Sequence, residues 1–112
     1  QPYKDAIVGM SESDTVISKV FTGKTLRAIA NKSTREFEGQ QAKPFAMQVM
    51  ESAQMNRLGP IAGVVDDVDP DFQCLAAGQG GGAIRDILPA GDIVRRIMAE
   101  AEATLRQLRT FG

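Results

Sequence analysis

Four stretches of this sequence hold residue types that could do chemistry. Gly78-Gln79-Gly80-Gly81-Gly82-Ala83 has the G-x-G-x-x-A spacing of a dinucleotide-binding turn, where glycines let backbone approach a pyrophosphate. Thr22-Gly23-Lys24-Thr25 ends like a loop that wraps phosphates with peptide N–H groups. Asp66, Asp67, Asp69 and Asp71 crowd one short segment as calcium ligands do, and Cys74 is the single thiol. The chain has no His, which removes the commonest general base near neutral pH.

Each pattern must be weighed against its surroundings. A dinucleotide turn needs a strand before it, a long helix directly after it and a second strand bearing an acidic residue about 20 positions on. Here Pro89 interrupts and only a terminal helix follows, so the glycines read as a turn lying close either to a ligand or to another backbone. In the phosphate-loop pattern Ser18 stands where the first glycine belongs, and a hairpin turn at Thr22-Gly23 is the preferred reading. The aspartate cluster lacks the glycine and terminal Glu of a calcium loop and reads as a solvated connection, with no residue assigned to a metal. Cys74 has no second thiol and no His beside it, so a buried structural thiol is expected.

The elements that must position these stretches follow from periodicity and punctuation. Tyr3 to Val8 suits one or two helical turns. Val16, Ile17, Val20 and Phe21 favour a strand, and the alternation from Leu26 to Ala30 supplies its hairpin partner. Ser33 or Asn31 caps a short helix ending at Gly39, with Ser33 and Glu36 spaced as a capping box. Pro44 opens another helix, with Ala46, Val49, Met50 and Ala53 on one face; Met47, Met50 and Met55 are expected to fill gaps in the core. From Pro89 onward Ile93, Val94, Ile97, Met98, Ala101, Leu105 and Leu108 make the apolar stripe of a long amphipathic helix.

Composition narrows the partners. The 112 residues suit one modest domain or part of a larger one, and 13 basic side chains against 14 acidic ones, interspersed, argue against a nucleic-acid surface. No apolar run approaches the length of a membrane helix, so no membrane partner is expected; the lone Cys74 suits a reducing cytoplasm. The start at Gln1-Pro2, without an initiator Met, fits a piece of a longer sequence.

Two blocks together resemble one family. Asp14-Thr15-Val16-Ile17-Ser18-Lys19-Val20-Phe21-Thr22-Gly23-Lys24-Thr25-Leu26-Arg27-Ala28-Ile29-Ala30-Asn31 is similar to a motif region of the nitronate monooxygenases, also called 2-nitropropane dioxygenases. Leu75-Ala76-Ala77-Gly78-Gln79 through Ile84, with Pro89 and the helix from Ile93, is similar to that family's closing A-G-Q block and terminal helix. The sequence departs from the pattern in Cys74-Leu75, where an aromatic residue often precedes A-G-Q, and in the run Gly80-Gly81-Gly82.

The resemblance implies an α+β fragment: the C-terminal part of an FMN-binding TIM-barrel (β/α)8 protein, comprising a β-hairpin, helices of a smaller domain and the final barrel helix. It implies the end of a barrel segment at 1–13, the smaller substrate or cap domain at 14–72, and a glycine-rich flavin-side loop with the C-terminal helix at 73–112. The implied activity is FMN-dependent oxidation of alkyl nitronates with O2 to carbonyl compound and nitrite, with a small-molecule nitronate as substrate. Flavin-type enoyl-acyl-carrier-protein reductases and NAD(P)H:quinone reductases are similar at this end and form the alternative. Ala77, Gly78 and Gln79 carry over as FMN neighbours. The family's phosphate-binding loops and catalytic base lie upstream, so no catalytic residue is expected here, and the isolated chain is expected neither to bind FMN tightly nor to turn over substrate. A reading of another class is a stand-alone interaction module whose terminal helix pairs with itself or a partner; a cut-out piece is expected to self-associate through the uncovered stripe, whereas an autonomous module is expected to be monodisperse and to fold cooperatively.

Overall fold

A computed structural model describes residues 1–111. Helix α1 (Pro2–Gly9) leads through a short 3₁₀ turn (Glu12–Asp14) into strands β1 (Thr15–Ser18) and β2 (Leu26–Ile29). Helices α2 (Lys32–Phe37) and α3 (Phe45–Gln54) follow, then 3₁₀ turns at Pro60–Ala62 and Gln79–Ala83, and helix α4 (Ala90–Arg109). The arrangement is α+β, as the sequence suggests.

The strands form an antiparallel hairpin, with Thr15 opposite Ile29 and Ser18 opposite Leu26. The strand expected to run through Phe21 ends at Ser18. The Ser18 hydroxyl accepts the Val20 N–H at 3.2 Å and the Gly23 N–H donates to the Lys19 carbonyl at 2.8 Å, so local bonds replace the ladder. This tightening swings Val20 and Phe21 inward, where with Ala28 and Cys74 they form the core. The other edge of β2 is also paired: Ile29 N–H donates to the Leu75 carbonyl at 3.0 Å and Ala77 N–H to the Arg27 carbonyl at 3.3 Å, with Ala28 opposite Ala76.

Helix α3 departs from the expected orientation. It turns Gln48 and Ser52 to the interior, while Ala46, Met50 and Ala53 are exposed and Val49 is half-buried. The cause is the Val20 carbonyl, which has left the ladder and needs donors. Gln48 Nε2 donates to it at 2.7 Å and Ser52 Oγ at 3.2 Å, while Gln48 Oε1 accepts the Lys43 N–H at 3.1 Å. Met47, Met50 and Met55 are therefore exposed and fill no core gap; among the described residues the buried methionine is Met10.

The capping box of α2 is Asn31 with Thr34 in place of the expected Ser33 with Glu36. Asn31 Oδ1 accepts the Thr34 N–H at 3.2 Å while its Nδ2 donates to the Gln73 carbonyl at 2.7 Å, and Ser33 Oγ donates to the Phe72 carbonyl at 2.5 Å. Ser33 is thus occupied in tying the helix to residues 70–73. Helix α4 runs about 30 Å with no buried residue, its start held by Arg96 to both carboxylate oxygens of Asp86 at 2.9 and 3.0 Å. The apolar stripe lies where the sequence places it and is uncovered by the described residues.

Gln48→Ala is expected to lower stability by about 1–3 kcal/mol, because it removes one donor from a buried carbonyl and the acceptor for Lys43 N–H. The urea-denaturation midpoint checks this; an unchanged midpoint would mean that neither group depends on Gln48.

Candidate functional site

The edge of β2 fixes the segment from which the glycine run departs. Residues 75–77 lie extended against it, and the carbonyl of Ala76, on the edge away from β2, accepts the Tyr3 phenol at 2.5 Å. Gly78 continues extended at φ −84°, and the chain then closes into the Gln79–Ala83 turn with the Gly81 N–H donating to the Gly78 carbonyl at 3.1 Å.

The glycines divide by what surrounds them. A Cβ on Gly82 would lie 2.4 Å from the Glu12 nitrogen, and one on Gly81 would lie 3.1 Å from the Met10 sulfur, so these two seat the turn on the connection after α1. Around Gly78 and Gly80 nothing lies within 4 Å of that position. The alternatives of close backbone and open approach are thus split between neighbouring residues of one run.

Ala77 is half-buried, whereas Gly78 and Gln79 are exposed. Within the described residues the Gln79 carboxamide makes no hydrogen bond, and the Gly78 and Gln79 N–H groups find no acceptor. The three expected site residues therefore offer half-buried methyl, open glycine backbone and a free carboxamide in succession. That set suits a planar ligand with heteroatoms at its rim, including a flavin: the missing Cβ admits the ring and the carboxamide can both donate and accept.

The other stretches serve structure. Gly23, at φ +78°, sits beneath the Lys43 carbonyl, where a Cβ would come within 2.8 Å, and Lys24 Nζ lies 4.3 Å from the centroid of Phe45. Asp69 Oδ1 accepts the Asp71 N–H at 3.0 Å, and Asp71 pairs with Arg35 at 3.2 Å. Among the described residues no group of three or more His, Cys, Asp or Glu is arranged to hold a metal. Cys74 is fully buried, and burial pushes its thiol from an ordinary 9.0 up to about 11. No helix among the described residues is long and apolar enough to cross a membrane. A depression of about 430 Å³ lies elsewhere, between β1 and α2, lined by Ile17, Lys19, Arg35 and Phe37 among others.

Sequence reasoning misses Tyr3 and Arg27 as partners of the loop. Tyr3 meets Ala76 across 73 positions, and Arg27 acts through its backbone carbonyl, which no side-chain pattern reveals. The one available signal is the phenol itself, since a half-buried Tyr hydroxyl ordinarily finds a partner.

Comparisons with known proteins agree with one another in part. The family model described as nitronate monooxygenase matches residues 2–100. A structure of FabK from Thermotoga maritima superposes with a TM-score of 0.75 at 28% identity, covering 100% of this chain and 35% of that one. A point mutant of the same FabK gives 0.67 at 26% identity, covering 98% and 30%. The chain thus spans about a third of the length of these structures. Among curated proteins nothing matches.

Two outcomes follow from this geometry. Gly82→Ala is expected to destabilise the protein severely, since a methyl would strike the Glu12 backbone, whereas Gly80→Ala is tolerated; paired thermal melts separate them. Cys74 links stability to alkaline pH. Its folded thiol holds the proton above the pH at which the unfolded thiol loses it, so the stabilisation is complete below about 9 and is lost as pH rises toward 11. Cys74→Ala should flatten that part of a denaturation-versus-pH profile, and an identical slope in the variant would refute the assignment.

Proposed function

Since the chain belongs to the nitronate monooxygenase family, we propose that it is the C-terminal portion of an FMN-dependent oxidoreductase that oxidises alkyl nitronates with O2 to carbonyl compound and nitrite. The observation that carries the reading at this site is the open backbone of Gly78 followed by the unengaged carboxamide of Gln79, on a segment pinned to β2. In this reading residues 1–13 end a barrel segment, 14–72 form the smaller domain, and 73–112 supply the flavin-side loop and the helix that returns to a TIM barrel.

The bound flavin would supply the redox chemistry, and this chain's part is to bind and orient it. Ala77 and Gly78 would leave room for the ring, while Gln79 would hydrogen-bond its rim. The catalytic base and phosphate loops belong to the upstream chain. The apolar faces of α3 and α4, exposed here, would be covered by that chain, and self-association of the isolated 112 residues is the consequence of removing it. A buried, unpaired thiol suits a cytoplasmic enzyme.

The second reading, favoured by the two FabK superpositions, is a flavin-type enoyl-acyl-carrier-protein reductase of the same superfamily. The intact protein distinguishes the two: nitrite release from an alkyl nitronate under O2 supports the first, and NAD(P)H oxidation dependent on an enoyl thioester supports the second. In either case Gln79→Ala is expected to raise the FMN dissociation constant about 5- to 10-fold, the worth of one ordinary hydrogen bond. An intact protein that binds no flavin would overturn both readings.

A further inference from the structure

We propose that Tyr3 is a positioning residue for the ligand loop, its phenol donating to the Ala76 carbonyl and thereby fixing the peptides that lead into Gly78 and Gln79. The inference rests on the reading of 77–79 as the flavin-side loop and adds to it a residue from the opposite end of the chain.

The argument begins with alternation in extended backbone. Leu75 and Ala77 direct their backbone groups toward β2, where they bond to Ile29 and Arg27. Ala76 and Gly78 must direct theirs to the opposite edge. No strand lies there among the described residues; the Cys74 N–H, just before the segment, donates to the Arg57 carbonyl at 2.7 Å, and beyond Cys74 the Tyr3 phenol is the bond that holds this edge.

The phenol takes the place of that missing strand. It bonds Ala76 at 2.5 Å, two residues before the backbone that the ligand would approach. Helix α1 carries the ring, and the connection at its C-terminal end seats Gly81 and Gly82 against Met10 and Glu12. The loop is consequently fixed before Gly78 by Tyr3 and β2 and after Gly80 by residues 10–12, leaving Gly78 to Gly80 as the part free to meet a ligand. Burial, and then the neighbouring Cys74, push the Tyr3 phenol above its usual value, so it remains a donor at neutral and mildly alkaline pH.

The test uses the intact protein and Tyr3→Phe, which keeps the ring and removes the donor. The expected result is a three- to tenfold weaker FMN affinity by fluorescence titration, an altered visible spectrum of the bound flavin, and faster exchange in the flavin-free protein of the hydrogen-bonded amides on either side of the loop, Ala77 and Gly81. A role in stability alone would lower the urea midpoint and leave the flavin spectrum and the affinity of the folded protein unchanged, which would overturn the proposal. Gln79→Ala is measured beside it. If Gln79→Ala weakens FMN binding and Tyr3→Phe does not, the positioning role is wrong while the loop assignment stands. If neither variant changes binding or spectrum, the loop assignment itself fails and takes the positioning role with it. Should Tyr3→Phe fold too poorly for titration in buffer, the titration is repeated in a stabilising osmolyte such as trimethylamine N-oxide, and an affinity and flavin spectrum equal to wild type there would overturn it.

Discussion

Strand β2 is hydrogen-bonded on both edges, to β1 on one side and to residues 75–77 on the other, and this double pairing organises the molecule. Ala28 lies at its middle with no exposure, packed among Val20, Phe21 and Cys74. A small residue suits that place because bulky neighbours from both flanks converge over it. One strand therefore fixes the core and also sets the point from which the glycine run departs.

The core so formed is small, and buried polar groups share the work of holding it. Gln48 and Ser52 bond the carbonyl of Val20, Asn31 and Ser33 bond carbonyls of 70–73, and Gln73 Nε2 donates to the Asn56 carbonyl at 2.8 Å. These side chains satisfy backbone that irregular segments leave without ladder partners. Directional bonds of this kind specify position more sharply than apolar contact does, since a shift of one residue would leave a buried carbonyl unpaired at a cost of about 1–3 kcal/mol.

This explains which features were legible in the sequence. The hairpin, the breaks at Gly23 and Gly39 and the terminal helix follow from local periodicity and turn chemistry, with the first strand shorter than expected because it leaves the ladder after Ser18. The face of α3 does not, because its orientation answers a carbonyl 28 positions away, and its apolar stripe points outward. The partnership of Ala76 with Ala28 was equally hidden, as an Ala-Ala-Gly run has little strand propensity and pairs only because β2 offers an edge. The residues 77–79 were reached through family resemblance, and the residues that hold them came from the fold alone.

The open surfaces complete the argument. A 20-residue helix with an apolar stripe and no buried residue is costly to leave in water: at roughly 25 cal/mol per Å² of apolar area, covering even half the stripe outweighs one or two of the hydrogen bonds described above. The exposed Met47 and Met50 of α3 add to that area. Buried polar groups are thus mostly satisfied inward, Arg57 Nε being an exception among the described residues, while the apolar faces of α3 and α4 turn outward.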